Sequence, residues 1–278
     1  MVSLIVATAQ SLISQDVADN GRHIRDMMAE AKAKGAHLVH FPEAALSGYV
    51  KAQITDWATV DWQQVQAELE TICLLAGQLD LWVVLGCNHR LTAPNRPHNS
   101  LFVISAAGEI VTRYDKRFCS HSEITDWYSP GTDAVVFDVD GVRFGCALCI
   151  EVQFPELFAQ NAMLGVECML VSAYAQDPMF AGLAQAHAAT NNFWLSLCVP
   201  AQCGGTLASQ FIGPNGKVLA HAPGKPEQLL VLGSIERDDA QFAIALTKAR
   251  PWRQAAREGG IYRSQLVGDP RSADRTLI

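Results

Sequence analysis

Phe144-Gly145-Cys146-Ala147-Leu148-Cys149-Ile150-Glu151-Val152-Gln153-Phe154-Pro155-Glu156 is the stretch from which the fold is read. Val142 to Leu148 is apolar and β-competent, with glycines at 141 and 145. Phe154-Pro155-Glu156-Leu157-Phe158 reads as the first turn of a helix, because proline is tolerated where the backbone needs no donor. Cys149 therefore falls at a strand-to-helix junction. Unpaired N–H groups at such a junction stabilise both a thiolate and a developing oxyanion. The same residue is equally compatible with a buried core cysteine, the ordinary environment of a free thiol.

The pattern extends on both sides of this stretch. Residues 2 to 9 predict a strand and 17 to 34 a helix, with Ile24, Met27, Met28 and Ala31 on one face and Gly35 past its end. A short strand over 36–41 runs into Pro42-Glu43, residues 61–79 form another helix, and 81–87 a third strand. From Asn99 the texture changes: 101–104, 110–114, 135–139 and 142–144 are short β-runs parted by turns such as Ala107-Gly108 and Asp140-Gly141, the mark of antiparallel hairpins. After Cys149 come helix (154–164), strand (168–172), helix (180–192) and strand (193–199), then short strands over 206–212, 217–221, 229–235 and 242–246. Two similar halves, each mixing helices and strands, imply two mixed sheets. An α/β (α+β) four-layer α-β-β-α sandwich is the economical way to bury both faces of each.

The 278 residues are 49% hydrophobic and carry a formal charge of −7, so a single large core is expected and nucleic acid is not. The partner is expected to be a small molecule. The first ten residues are apolar without a basic leader, and no apolar run reaches eighteen residues. A cytoplasmic protein with no membrane partner is expected. Cysteines 73, 87, 119, 146, 149, 168, 198 and 203 lie mostly inside apolar runs and are expected to be free thiols. Cys146 and Cys149 form a C-x-x-C, but a spacing of three on a strand points the side chains to opposite faces, which argues against a redox or metal pair. Residues 1–249 read as one domain. The segment 250–278, with Arg253, Arg257, Arg263, Arg271 and Arg275, reads either as a solvated end or as an arm against a partner subunit.

Three predicted strands end in a reactive side chain: Phe41-Pro42-Glu43, Tyr114-Asp115-Lys116-Arg117 and Cys146-Ala147-Leu148-Cys149-Ile150-Glu151. In this order, with Phe154-Pro155-Glu156 after the cysteine, they resemble the nitrilase superfamily of carbon–nitrogen hydrolases over nearly the whole chain. The resemblance implies a Glu43-Lys116-Cys149 triad, in which Glu43 takes the thiol proton, Lys116 supports the anionic intermediate, and the Ile150 N–H supplements it. It also implies a second carboxylate before Ser129-Pro130-Gly131, for which Glu123 is the candidate and Asp126 the fallback. Tyr49, Ala173 and Tyr174 are candidate substrate contacts, though Tyr174 fits core packing equally well. Ile150, Glu151 and Gln153 depart from the aromatic, aspartate and arginine common in the family, which leaves the subfamily open. The implied protein is a cofactor-free amidase acting on a small linear amide through an acyl-enzyme, as a homodimer or higher oligomer. Nitrile hydrolysis, N-carbamoyl hydrolysis, acyl transfer and a non-catalytic binding role are the alternatives. A Cys-His pair through His121 or His187 has no recognisable motif.

Overall fold

A computed structural model describes residues 3–276; the expected strand start at Val2 and the outermost ends of the two expected segments lie outside them. Alternation along the first strand, Leu4–Gln10 (β1), shows how the layers arise. Leu4 and Val6 point between two sheets, while Ala7 and Ala9 point outward beneath helices. The helix Val17–Ala33 (α1) starts at Asp16, whose side chain accepts the Ala18 and Asp19 N–H groups, and the chain leaves it through Gly35 at φ 82°. Leu38–His40 (β2), Trp62–Leu79 (α2), Trp82–His89 (β3), His98–Ile104 (β4) and Ile110–Asp115 (β5) complete the first half.

The second half runs Val136–Val139 (β6), Val142–Leu148 (β7), Pro155–Met163 (α3), Cys168–Ser172 (β8), Met179–Asn191 (α4), Trp194–Cys198 (β9), Gln210–Ile212 (β10) and Val218–His221 (β11). Leu229–Ile235 (β12) then returns to β1, and Arg250–Glu258 (α5) follows. The sheets are ordered β12-β1-β2-β3-β4-β5 and β11-β10-β9-β8-β7-β6. Each has three parallel strands at its centre, β1-β2-β3 and β7-β8-β9, flanked by antiparallel ones. Leu38, Val84, Leu101, Phe144, Leu148, Leu170, Trp194 and Phe211 fill the space between them. Helices α1 and α2 cover one outer face and α3 and α4 the other. The four-layer α-β-β-α sandwich is thus the observed fold.

Two expected strands differ. Residues 242–246 are helical turns, Ala240–Phe242 and Ala245–Ala249. In this alanine-rich run the buried side chains are Phe242 and Ala245, a spacing of three that suits a helix and not a strand. The strand expected from 206 begins only at Gln210, because the preceding chain is folded into turns that return the Thr206 and Leu207 N–H groups to the Cys203 carbonyl. The segment after 249 continues as α5 and docks on its own chain. Arg250, Arg253 and Arg257 donate to the Asn192, Ala189 and Thr190 carbonyls and to the Asn191 and Asn192 side chains. Cations there complement the negative end of α4.

Candidate active site

The candidate residues follow the carboxyl ends of β2, β7 and β5; the first two are central parallel strands, where ligands gather in sheets of this kind, and the third is the antiparallel edge. Glu43 lies in a turn just beyond β2, and this turn rests directly on β3. A Cβ at Gly86 would collide with the Pro42 carbonyl and the Ala44 nitrogen, so only glycine allows the approach. Lys116 follows β5, and Gly131 serves its loop similarly: the Gly131 N–H donates to the Lys116 carbonyl at 2.8 Å, and a Cβ there would strike Asp115.

These loops bring three charges together out of water. Glu43, Lys116 and Glu123 are 0%, 1% and 1% exposed. Lys116 Nζ donates to Glu43 Oε1 and to both oxygens of Glu123, each at 2.9 Å. Glu43 also accepts Asn99 Nδ2 at 2.7 Å and the Tyr174 N–H at 2.8 Å. Glu123 also accepts the Ser120 N–H at 2.7 Å and the Tyr49 hydroxyl at 3.0 Å. Burial pushes the Glu123 carboxyl up, but Lys116, the Ser120 N–H and Tyr49 together hold it below the ordinary value. Burial opposes the charge on Lys116, yet Glu43, Cys149 and Glu123 raise its pKa well above normal. Asp126, on the same turn as Glu123, is exposed.

Cys149 follows the last residue of β7 in a left-handed conformation, φ 50°, and opens a short 3₁₀ turn, Cys149–Gln153. A non-glycine residue adopts this only when its surroundings enforce it. Glu151 supplies much of that enforcement. Its Oε2 accepts the Leu148 N–H at 2.7 Å and the Tyr114 hydroxyl at 2.8 Å; its Oε1 accepts the Arg117 and Phe118 N–H groups at 2.7 and 3.0 Å. The cysteine turn is thereby fastened to the loop that carries Lys116. Burial, then the charges of Glu43 and Glu123, push the Cys149 thiol well above the normal range, while Lys116 and the Tyr174 N–H pull it down. The Tyr174 N–H, which lowers the thiol pKa, is the same group that donates to Glu43 at 2.8 Å. The resting thiol is protonated and needs a base.

Tyr49 and Tyr174 stack with ring centroids 4.8 Å apart, and Gln53 Nε2 donates to the Tyr174 hydroxyl at 3.1 Å. Ile150 is partly buried and Ala173 fully so. His121 is exposed. His187 lies against the Phe158 ring, centroids 3.8 Å apart, and its Nε2 donates to the Val152 carbonyl at 2.8 Å, so it supports the cysteine turn from below. Cys146 faces the space between the sheets and Cys149 the outer layer. Among the described residues no cluster of three or more His, Cys, Asp or Glu side chains is placed to hold a metal ion, and no helix is long and apolar enough to cross a membrane. Sequence reasoning missed the buried acceptor role of Glu151, which registered only as a departure from the family pattern, and missed Asn99, whose one signal is its place at the start of the hairpin region.

The family model of carbon-nitrogen hydrolases matches residues 5–245. A hydrolase of Mycobacterium tuberculosis is 26% identical over 86% of this chain and 91% of its own length. The 2-oxoglutaramate amidase of Bacillus subtilis is 24% identical over 77% and 84%. In fold, the chain is similar to an amidase of Nesterenkonia sp. AN1, solved with the acetamide moiety of fluoroacetamide added covalently at its active-site cysteine. That structure superposes with a TM-score of 0.78 at 22% identity, covering 95% of this chain and 97% of the other.

Proposed function

Because this chain belongs to the carbon-nitrogen hydrolase family, we propose that it is an amidase that cleaves a small linear amide through a thioester on Cys149. The observation that carries this reading is a buried thiol, pushed up by burial and by the charge of Glu43, a glutamate that is itself bonded to buried Lys116. Glu43 takes the proton from Cys149 as the sulfur attacks the amide carbon, forming the C–S bond and moving the C=O π electrons onto oxygen. Lys116 and the Ile150 N–H stabilise that oxyanion. When the tetrahedral adduct collapses, Glu43 returns the proton to the departing nitrogen, the C–N bond breaks, and ammonia or an amine leaves. Water then attacks the thioester, giving its proton to Glu43, and Cys149 recovers its own as the carboxylic acid departs.

Glu123 is read as the second carboxylate, holding Lys116 charged and in place. Tyr49 and Tyr174, stacked on each other and tied to Glu123 and Glu43, are read with Ala173 as substrate contacts. Cys149 is only 8% exposed, which favours a small acyl group. Similarity to amidases supports the amide as substrate. The reading further takes the enzyme to be cytoplasmic, where its thiols stay reduced, and a homodimer or higher oligomer. The test is a panel of short aliphatic amides, carbamoyl compounds and nitriles, with ammonia measured and the intact protein weighed. Ammonia release with an acyl mass on Cys149, both lost in Cys149→Ala, is expected. An adduct on another cysteine, or turnover by Cys149→Ala, would overturn it.

A further inference from the structure

The space between the sheets is apolar except at the end nearest the site, where a buried chain of hydrogen bonds crosses it. Thr8 of β1 meets Ser196 of β9 at 2.6 Å, Ser196 meets His40 Nδ1 at 2.8 Å, and His40 Nε2 meets Ser172 of β8 at 2.7 Å. Ser172 donates to the Phe41 carbonyl at 2.8 Å. All four side chains are completely buried. That last bond fixes the direction of the rest. With its proton committed to Phe41, Ser172 accepts from His40 Nε2–H; Nδ1 then accepts from Ser196, and Ser196 from Thr8. A neutral imidazole satisfies every partner, and burial, which lowers the His40 pKa to about 3, keeps it neutral. Cys198 of β9 adds bonds to the Ala9 and His40 carbonyls at 3.2 and 3.3 Å.

The chain closes a ring around the site. Glu43 stands three residues beyond His40, and Tyr174 two beyond Ser172. They meet where the Tyr174 N–H donates to Glu43 at 2.8 Å, so the route from His40 through Glu43 and Tyr174 to Ser172 returns to His40. Apolar packing is non-directional and tolerates small offsets between sheets, whereas hydrogen bonds weaken steeply with angle. We infer that His40 is a positioning residue for the reaction: its Nε2–H bond to Ser172 sets the offset between the end of β2, carrying Glu43, and the end of β8, carrying the Tyr174 N–H. The inference rests on Glu43 being the base.

The test separates the two halves of the bonding chain. A glutamine amide reaches the place of the imidazole Nε2, and an asparagine amide that of Nδ1. His40→Gln therefore keeps the Ser172 bond and His40→Asn keeps the Ser196 bond; Ser172→Ala and Ser196→Ala make the same division with smaller changes that leave the fold intact. Each variant is assayed for Tm and for the rate of Cys149 alkylation by iodoacetamide across pH, and for turnover. Losses of about 10-fold or more in alkylation at pH 7 are expected for Ser172→Ala and His40→Asn, as for a displaced catalytic group. Ser196→Ala and His40→Gln should stay within about 3-fold of wild type at a similar loss of Tm. Alkylation that follows Tm alone, whichever bond is removed, would overturn the inference. Glu43→Gln is run in parallel: a normal rate there overturns the base assignment, while a slow rate there with a normal rate in Ser172→Ala overturns only the role of His40.

Discussion

Lys116→Met removes one charge and keeps most of the volume, leaving two buried carboxylates face to face. Both have an oxygen 2.9 Å from the same nitrogen, so those oxygens lie within about 6 Å of each other. At an effective dielectric of about 20, the uncovered repulsion is about 3 kcal/mol. Loss of one partner from a buried ion pair costs about 3–5 kcal/mol by a separate route. For 278 residues, an unfolding entropy of roughly 2.1 cal/mol/K per residue turns this into a Tm lower by about 5–9 °C. The pH dependence carries a sign. In the wild type the depressed carboxyl of Glu123 stabilises above its unfolded value of 4.5, and the raised Lys116 stabilises up to and beyond 10.5, so both contributions are present from about pH 5 to pH 8. In the variant Glu123 loses the cation that holds its carboxyl down, and burial is left to push it up. Its stability is greatest below the unfolded value and is lost as pH rises through the folded one. The Tm gap between the two proteins should therefore widen from pH 5 to pH 8, as read by calorimetry in matched buffers. Turnover should fall about 100-fold, mostly in kcat. A gap under about 2 °C at pH 8, or one that narrows as pH rises, would refute the argument.

Of the eight thiols, Cys149 should be the one whose alkylation abolishes hydrolysis; peptide mapping that shows inactivation with Cys149 unmodified would contradict this. Glu123→Gln should slow acylation while leaving the thiol open to alkylation, whereas Asp126→Asn, at an exposed position, should turn over normally. The reverse pattern in stopped-flow ammonia assays would move the second carboxylate to Asp126. Gly86→Ala should cost roughly 1–3 kcal/mol and lower kcat, because its methyl group drives into the turn that carries Glu43; unchanged denaturation and turnover would show that the turn yields freely. Light scattering at micromolar concentration should give at least a dimer, which truncation after Ala249 weakens by removing the exposed Trp252, Tyr262, Leu266 and Val267; a stable monomer would refute it.

The layers of this protein were legible because they follow from local periodicity. Short apolar runs bounded by turns placed the strands, recurrence at three and four placed α1 and α2, and Pro155 marked where β7 gives way to α3. Glu43, Lys116 and Cys149 drew attention because each ends a predicted strand, a local property, and because their order along the chain resembles that of the nitrilase superfamily. Three features were not legible. Whether Glu123 or Asp126 reaches Lys116 depends on the turn Glu123–Trp127, whose side facing inward is chosen by Tyr49 and Ser120 and not by the pattern of its own residues. Glu151 looked like an ordinary charged residue, and its burial makes sense only once four donors from distant segments converge on it. His40 read as one more residue of a short strand until Ser172 and Ser196 arrived from the other sheet, more than a hundred residues away. A buried polar group is stable only with its partners in place, and here those partners come from the packing of one sheet on the other, which no local stretch of the chain encodes.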